Sequence, residues 1–353
     1  MVDQDASRDA VKEYYGKTLR DMSDLQTSAC CCTEPLPDAQ GEILDLIDEE
    51  IRGRSYGCGS PIPPALEGCT VLDLGCGTGR DVYLASRLVG PDGFVIGVDM
   101  TDEQLAVASR HQDSQARRFG WQSSNVDFRQ GYIEDLSALG ISDDSIDVVI
   151  SNCVINLSPE RERVFAEIFR VLKPGGELYF SDVFAGRRIP REFQNDPLLH
   201  QECLGGAMYF EDFRRLLRSV GCLDFRIMAR HLVAIGNSEV EARVGMIDFY
   251  SITVRAFKLA HLEDICEDYG QVAYYLGTLP DSPFRFTLDD HHTFLTGKPM
   301  LVCGNTAAML SQTRFGRHFT IVGDQSVHYG TFDCKATPGG QWTGGPCPDG
   351  PCC

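Results

Sequence analysis

Short apolar runs alternate with longer segments of helical periodicity between residues 69 and 185. The apolar runs predict buried strands at CTVLDLG, GFVIGVDM, NVDFRQGYI, IDVVISNCV and GELYFSDV. The segments between them have apolar residues on one helical face and predict helices over 80–89, 102–119 and 159–172. The last helix has Ser158 as its predicted N-cap and ends at LKPGG. Strands that are separated by helices indicate a parallel sheet covered on both faces.

The pattern differs on either side of this alternation. Residues 1–25 have helical spacing, and residues 42–57 predict an amphipathic helix. Later segments alternate and predict a smaller α+β domain with an antiparallel sheet: RIMARHLVAIG, FYSITVRAFKL, QVAYYLGTL and HHTFLTGKPMLVCG. The Gly- and Pro-rich end of the chain predicts a flexible tail. We therefore expect an N-terminal helical and loop region, an α/β domain, a C-terminal α+β domain and a tail, over residues 1–64, 65–240, 241–335 and 336–353.

The composition restricts the choice of partner. Lysine and arginine number 32, against 51 aspartate and glutamate residues, which gives a net charge of −19. A surface of that charge repels nucleic acid and anionic membranes, so a small-molecule substrate is expected. No apolar run approaches the ~18 residues of a membrane span, and the first residues lack a secretory apolar region. We therefore expect a cytoplasmic protein, and we expect it to be a monomer.

Cysteine is unusually frequent in this chain. The 15 cysteines are an odd number in a long chain without an export signal, which favours reduced thiols over a disulfide framework. Ordinary buried side chains are expected at Cys69, Cys76, Cys222, Cys266, Cys303 and Cys334. The tail cysteines are either carriers of thiophilic species or simply exposed thiols, and they are Cys347, Cys352 and Cys353.

The segment VLDLGCGTGR, residues 71–80, predicts a strand, a glycine loop and the start of a helix. Its spacing is G-x-G-x-G, which differs from the G-x-G-x-x-G of dinucleotide enzymes. Asp73 precedes the loop, where a carboxylate would repel a pyrophosphate but attract the ammonium and sulfonium groups of S-adenosylmethionine (SAM). Asp99, at the end of the next strand, is expected to bind ribose hydroxyls. These features favour SAM as the cofactor.

The third strand is followed by GYIED, which is expected to contact the adenine. Ile133 would flank the ring, and Glu134 or Asp135 would meet its amino group. Together with the glycine loop, these motifs resemble the class I SAM-dependent methyltransferases over residues 65–185. The resemblance implies a Rossmann-like sheet of seven strands, one of them antiparallel.

Cys153 directly follows the fourth predicted strand, at the sheet edge where open α/β sheets bind their ligands. A cysteine is a poor general base but a good ligand for soft, thiophilic ions. Other cysteines lie in glycine-flanked or cysteine-rich loops: Cys30 in TSACCC, Cys58 in SYGCGSPIP and Cys203 in QECLGGAMYF. None of them belongs to a C-x-x-C pair, which argues against a zinc ribbon, but cysteines distant in sequence can meet in space.

Several segments together resemble the arsenite methyltransferase family: YYGKT, DLQTSAC, SYGCG, LDLGCGTGRD, GVDMT, SNCVINLSP, LKPGGELYFSDV and ECLGGA. The resemblance extends over about residues 10–260 and implies methyl transfer from SAM to trivalent arsenic. The implied arsenic ligands are Cys58, Cys153 and Cys203. The implied redox cysteine is Cys30, with Cys31 and Cys32 as alternatives.

The expected cofactor residues come from these motifs, with the tyrosine added from the family pattern. They are Tyr14, Asp73, Gly75, Gly77, Asp99, Met100, Ile133, Glu134 and Asn152. The family pattern implies that YYG closes over the cofactor. Packing of one of the two tyrosines in a helix core is the alternative.

The chemistry of thiolate-bound arsenic agrees with the absence of a predicted general base. Trivalent arsenic on three sulfurs keeps a lone pair, and aligning it with the methyl group is worth roughly 7–11 kcal/mol of barrier. Each methyl replaces one sulfur, so monomethyl arsenic is expected on Cys153 and Cys203. Cys30 and Cys58 form the hypothetical pair that reduces arsenic between steps, regenerated by thioredoxin or glutathione. Mono- and dimethylated arsenic are the expected products.

Two other functions use part of the same features. A SAM enzyme that methylates carbon or oxygen of a quinone or sterol needs the cofactor motifs but not the cysteines. A thiol-rich protein that sequesters soft metals needs the cysteines but neither Asp73 nor Asp99. The pair His291-His292 predicts no metal site, because neighbouring strand residues point to opposite faces.

Overall fold

The computed structural model describes residues 4–18, 27, 38–54, 57, 61–194 and 196–334. The main sheet is built from β1 Thr70–Leu74, β2 Phe94–Asp99, β3 Val126–Gln130, β4 Ile146–Asn152, β5 Leu172–Ala185, β6 Met208–Tyr209, β7 Phe225–Leu232 and β8 Phe249–Phe257. The strand order is β3-β2-β1-β4-β5-β8-β7, with β6 paired to β5. The predictions for Cys30, Cys31, Cys32, Cys58 and the tail after residue 335 lie outside the described residues.

The first five strands run parallel, and β8 runs antiparallel to both β5 and β7. The predicted α/β class, with a seven-strand path and one antiparallel strand, is confirmed. The domain boundary predicted at residue 241 is wrong, because β8 belongs to the main sheet. Eight of the nine residues of β8 are buried, since both faces of the sheet are covered. Its alternating sequence therefore did not indicate a strand of a separate domain.

Helices precede, separate and follow these strands along the chain. They are α1 Gln4–Glu13, α2 Asp38–Leu46, α3 Glu49–Arg52, α4 Arg80–Val89, α5 Asp102–Arg110, α6 Gln112–Arg118, α7 Arg161–Val171, α8 Arg191–Gln194, α9 Pro197–Gln201, α10 Phe210–Ser219, α11 Ser238–Val244 and α12 Gly304–Ser311. A π-helical turn, Tyr14–Thr18, extends α1, and a 3₁₀ turn, Ile155–Leu157, follows β4. In the described part of the chain, no helix is long and apolar enough to cross a bilayer.

The sheet has an apolar core on each face because its strands alternate between them. On one face, Leu72 and Val149 pack with α7 and α10, where Phe165 meets Phe213 with ring centroids 5.7 Å apart. On the other face, Val71 packs with α4 and α5. Burial on both faces explains why the sequence of each central strand is almost continuously apolar.

The C-terminal region is rich in strands, as predicted. It contains β9 Glu267–Asp268, β10 Gln271–Tyr275, β11 Arg285–Thr287, β12 Thr293–Leu295, β13 Pro299–Val302, β14 Phe319–Val322 and β15 Gly330–Thr331. A buried glutamate, Glu177 of β5, forms ion pairs with Arg255 of β8 and with Arg314 of the C-terminal region. Removing one partner from such a buried cluster costs roughly 3–5 kcal/mol, because it leaves the other buried charge uncompensated.

Candidate active site

The glycine loop joins β1 to α4 at the carboxyl edge of the sheet. Gly75, Gly77 and Gly79 have φ angles of +73°, +53° and +87°, a region that favours glycine. A Cβ added at Gly75 would lie 2.3 Å from Cγ2 of Val154, so the loop also touches the segment that follows β4. The sequence therefore needs glycine here for both backbone conformation and space.

Carboxylates gather beside the loop. Asp73 is 3% exposed, and burial together with the neighbouring carboxylates of Asp81 and Asp99 raises its pKa well above the usual value. Burial also raises the pKa of Asp99, although hydrogen bonds from backbone N–H groups oppose the shift. Two of these donors are Thr101 N at 2.8 Å and Gly77 N at 2.9 Å. Clustered buried acids of this kind are stabilised by a cationic ligand.

The segment after β3 completes the other end of the cleft. Glu134 is buried and accepts a hydrogen bond from Ser158 Oγ at 2.6 Å, and Arg8 lies 3.4 Å from its carboxylate. Asp135 instead accepts bonds from Ser137 and Ala138 at the surface, so only Glu134 of the two candidates lines the cleft. The sequence predicts Ser158 as the N-cap of α7, but Glu160 occupies that position in the structure.

These residues line one cleft of about 1090 Å³, counting its open mouth. Most of the expected cofactor residues border it: Asp73, Gly75, Gly77, Asp99, Met100, Ile133, Glu134 and Asn152. Tyr14 does not, and its neighbour Tyr15 does. The cleft suits SAM chemically. Asp73, Asp81 and Asp99 line it and would attract the two positive groups of SAM, and the glycine loop leaves room for the ligand. The buried Oε1 of Gln104 also has no donor among the described residues, as a site for a ligand hydroxyl requires.

Cys153 and Cys203 lie side by side next to the cleft. The Sγ atom of Cys203 is 3.4 Å from the carbonyl oxygen of Cys153, and Cys153 borders the cleft itself. Only four non-glycine residues in the described ranges have positive φ, and these two cysteines are among them, at +56° and +62°. Strained backbone of this kind concentrates at functional sites, where surrounding structure holds it. Both side chains lie in an apolar cluster with Val183, Leu199 and Leu204.

The cysteines differ in oxidation state. Cys203 is fully buried and free, whereas Cys153 is disulfide-bonded. The expectation of reduced thiols holds for Cys69, Cys76, Cys203, Cys222 and Cys303. It is wrong for Cys153, Cys266 and Cys334, each of which is disulfide-bonded. Chain length and an odd number of cysteines therefore did not exclude local thiol oxidation.

Two contacts connect other cysteine-bearing segments to this pair. A Cβ added at Gly57 would lie 2.4 Å from Nδ2 of Asn152, so the two residues touch. Thr27 donates from its backbone N and its Oγ1 to Glu202, at 3.0 and 2.7 Å. In the sequence, Asn152 directly precedes Cys153, and Glu202 directly precedes Cys203. The cysteines at positions 30 and 58, which follow Thr27 and Gly57, lie outside the described residues.

A buried polar network supports both cysteine loops. Asp182 of β5 accepts hydrogen bonds from the backbone N and Nδ2 of Asn156, at 3.2 and 2.7 Å. A Cβ added at Gly206 would lie 2.1 Å from the carbonyl oxygen of Asn156, so the Cys203 loop packs directly on this residue. Burial raises the pKa of Asp182 to about 7. The network therefore links the two cysteine loops through a titratable group.

Asp182→Asn is expected to change the pH dependence of stability. The folded-state pKa of Asp182 lies near 7, above the ~3.9 of an unfolded aspartate. Its contribution to stability is therefore complete below pH ~4 and is lost as pH rises towards 7, by up to roughly 1.4 kcal/mol per pH unit. The variant-minus-wild-type difference in unfolding free energy should rise from pH 5 to 7 and level off by pH 8.

Urea unfolding at four pH values from 5 to 8 measures this difference. Asp135→Asn is the matched control, because surface hydrogen bonds from Ser137 and Ala138 lower the pKa of Asp135. That carboxylate stays ionised over the whole range, so its difference should be flat. A flat difference for Asp182→Asn as well would contradict the raised pKa.

Sequence reasoning missed several residues of the site. Arg8 and Gln104 line the cleft, but a charged residue and an amide on predicted helices carry no distinctive signal. Glu202 and Asp182 are buried carboxylates whose roles depend on partners more than twenty residues away in sequence. The adjacent glycines of ECLGGA were the one visible sign of close packing around Cys203.

The chain matches family models and named proteins over most of its length. The family model described as "Methyltransferase domain" matches residues 65–221, and that described as "Arsenite methyltransferase C-terminal domain" matches residues 268–340. An arsenite methyltransferase of Aquipseudomonas alcaligenes is 50% identical over 325 residues, covering 92% of this chain and 93% of that protein. One from Homo sapiens is 42% identical over 312 residues, covering 88% of this chain and 82% of that protein.

A solved structure is similar over most of the chain. The crystal structure of an arsenic(III) S-adenosylmethionine methyltransferase from Chlamydomonas reinhardtii matches with a TM-score of 0.82 and 51% identity. The match covers 85% of this chain and 100% of that chain. With the cofactor cleft described above, these similarities establish that the chain belongs to the arsenite methyltransferase family and is a SAM-dependent methyltransferase.

Proposed function

We propose that this protein transfers methyl groups from SAM to trivalent arsenic held by cysteine thiolates, and that it releases mono- and dimethylated arsenic. The observation that carries the proposal is the meeting of Cys153 and Cys203 beside the cofactor cleft. They are 50 residues apart in sequence, yet Cys203 Sγ is 3.4 Å from the Cys153 carbonyl oxygen. Thiolates are suitable ligands for a soft, thiophilic acceptor. A quinone or sterol acceptor has no need of them.

The surroundings of these cysteines suit a reaction without a general base. Arsenic bound to sulfur keeps a lone pair, so no proton has to be removed before it attacks. When bound, SAM supplies an electrophilic methyl carbon on a positively charged sulfur. Asp73 and Asp99 hold the charged and hydroxyl groups of the cofactor, and the apolar cluster around the cysteines excludes water. Charge is neutralised during the transfer, and a dry pocket favours that change.

The oxidised state of Cys153 supports a requirement for a thiol reductant. A disulfide-bonded cysteine has no thiolate to offer to arsenic. An external thiolate, from glutathione or thioredoxin, attacks one sulfur and releases the other as a thiolate, and a second thiol completes the two-electron reduction. Dependence on such thiols favours a reducing cytoplasm, and the proposal takes the enzyme to be a monomer.

We include Cys58 as the third arsenic ligand and Cys30 as the redox cysteine. Support comes from the contacts of Gly57 with Asn152 and of Thr27 with Glu202, since each of these four residues lies within three positions of one of the four cysteines in the sequence. In this scheme the product of each transfer is pentavalent arsenic. The thiols of Cys30 and Cys58 close to a disulfide, supply two electrons and return arsenic to the trivalent state.

Cys30→Ser is expected to separate the two methylation steps. The first methyl transfer should proceed, because the arsenic ligands remain, and the second should be lost because arsenic is not reduced on the enzyme. Separation of arsenic species over time, in the presence of SAM and glutathione, measures both products. Cys31→Ser and Cys32→Ser are the matched variants. Normal dimethylation by Cys30→Ser would remove this cysteine from the scheme.

The proposed function itself is tested with purified protein, isotopically labelled SAM, arsenite and glutathione. We expect labelled methylarsenic species only when arsenite is present. Methyl transfer to added quinone without arsenic would favour the quinone or sterol alternative. Tight arsenite binding with no labelled product would favour a sequestering protein, and either result would reject the proposal.

A further inference from the structure

The segment that contains Tyr14 and Tyr15 lies between the cofactor cleft and the Cys203 loop. We propose that Gln104 and Glu202 are positioning residues that couple cofactor binding to the geometry of Cys203 through this segment. Gln104 holds it on the cofactor side, and Glu202 holds it on the side of the methyl acceptor. The inference rests on the proposed function, because it assigns Cys203 to the acceptor site.

On the cofactor side, the side-chain amide of Gln104 has a hydrogen-bond partner at Nε2 but none at Oε1 among the described residues. Its Nε2 donates to the carbonyl oxygen of Tyr15 at 2.8 Å, a contact that fixes the orientation of the amide because a carbonyl only accepts. Its Oε1 is buried in the cleft without a donor among the described residues. A buried amide oxygen without a partner is costly, and a ligand hydroxyl removes the cost.

The position of this oxygen identifies the ligand group. A Cβ built on Gly77 would lie 3.9 Å from Gln104 Oε1, and Gly77 N donates to Asp99 at 2.9 Å. Gln104 therefore borders the corner of the cleft where Asp99 is expected to bind ribose hydroxyls. We assign a ribose hydroxyl of the cofactor as the donor to Gln104 Oε1.

On the acceptor side, the fully buried carboxylate of Glu202 accepts hydrogen bonds from two residues of the N-terminal region. The hydroxyl of Tyr14 donates to its Oε1 at 2.6 Å, and Thr27 donates to its Oε2 through N and Oγ1. The hydroxyl of Tyr15 donates to the carbonyl oxygen of Gln201 at 2.9 Å. Cys203 is the next residue after this pair of anchors, at a strained φ of +62°.

The segment itself is built for close contact on both sides. It is a π-helical turn, and such turns often occur at functional sites. Gly16 packs so tightly that an added Cβ would lie 2.9 Å from Cγ2 of Thr101, which borders the cleft. Tyr14 and Tyr15 are adjacent, so one short turn contacts both sites. A ligand that fixes Gln104 therefore also fixes the hydrogen bonds that hold the Cys203 loop.

Coupling between binding sites is reciprocal and can be measured without catalysis. S-adenosylhomocysteine, which has the ribose but no methyl to transfer, should raise the affinity of the wild-type protein for arsenite by about fivefold or more. It should also protect the amides of residues 8–18 and 199–206 from hydrogen exchange. Both effects report on binding and segment order, not on turnover.

Two variants interrupt the connection at different points. Gln104→Met removes both hydrogen bonds, so we expect about tenfold weaker S-adenosylhomocysteine binding and loss of the arsenite coupling at saturation. Tyr14→Phe removes the bond to Glu202 and leaves Gln104 in place, so cofactor affinity should change by less than about threefold while the coupling disappears. Tyr83→Phe is the matched control, because the buried Tyr83 hydroxyl donates to the Ala108 carbonyl outside the cleft. It should leave the coupling intact.

Each outcome has a distinct meaning. Wild-type coupling in Tyr14→Phe or Gln104→Met would overturn the inference, as would arsenite binding to the wild-type protein that S-adenosylhomocysteine leaves unchanged. Failure of the wild-type protein to bind arsenite at all would instead reject the proposed function. Loss of coupling in the two variants, with the control unaffected, would support the assignment of Gln104 and Glu202.

Discussion

Cys203→Ser is expected to lower kcat/KM for arsenite methylation by more than about 10²-fold. A misplacement of the reacting atom by 1 Å alone costs that much, and here one arsenic ligand is lost altogether. Serine is nearly isosteric, but its hydroxyl is a hard ligand with little affinity for arsenic. Cys153→Ser should have a similar effect. Initial rates of methylarsenic formation at several arsenite concentrations measure the loss.

A suitable control exists in the C-terminal region. Cys303 is also buried and free, and its side chain accepts a hydrogen bond from Thr306 N as the N-cap of α12. Serine is a favourable N-cap, so Cys303→Ser should fold and turn over normally. If Cys203→Ser retained wild-type kcat/KM while Cys303→Ser behaved as expected, Cys203 would not be an arsenic ligand. Equal thermal unfolding midpoints for the two variants would exclude a general folding defect.

Asp73→Asn is expected to weaken cofactor binding and to stabilise the protein without ligand. Loss of the charge should reduce affinity for SAM by about 10²-fold, since an opposite charge at short range shifts a pKa by one to three units. Without ligand, the buried Asp73 carboxylate faces Asp81 and Asp99, and its pKa is raised. A group of this kind destabilises the fold as pH rises through its folded pKa, so removing its charge should raise the melting midpoint at pH 8.

The same pKa shift predicts a proton release that can be measured. A bound cation lowers the raised pKa of Asp73, so binding should expel protons at pH values between the free and bound pKa values. Titration calorimetry of SAM in buffers with different ionisation enthalpies measures the number of protons released on binding, for the wild type and for Asp73→Asn. Asp147→Asn is the control, because Asp147 pairs with Lys173 outside the cleft. Unchanged affinity and proton release in Asp73→Asn would remove Asp73 from the cofactor site.

The strands and the glycine loop were predictable because their signals are local. Strands β1 to β5 are apolar runs bounded by helices, and the glycines at 75 and 77 need left-handed backbone that few other residues adopt. The sequence also placed Asp99 at the end of the second strand, where β2 ends. Each of these features depends on neighbours within a few residues, so the sequence contains enough information to identify it.

Other predictions failed where distant partners decide the structure. β8 looked like part of a second sheet, because alternation within nine residues does not reveal which strands it pairs with. Sequence could not place the two tyrosines either: the hydroxyl of Tyr14 bonds to Glu202, and Tyr15 lines the cleft, so the predicted cofactor contact of Tyr14 stays a prediction. Adjacent residues on a turn point in different directions, and only the packed structure determines which of the two reaches the ligand.

The sequence by itself determined the α/β architecture, the glycine loop at the edge of the sheet and the set of candidate sulfur ligands, since each follows from residue type and local spacing. The tertiary structure alone decided that Cys153 and Cys203 lie together, that one of them is oxidised, and that Gln104 and Glu202 both bond to the turn of Tyr14 and Tyr15. The physical reason is that contacts between residues 50 or more positions apart depend on how the whole sheet closes. No local pattern encodes that closure.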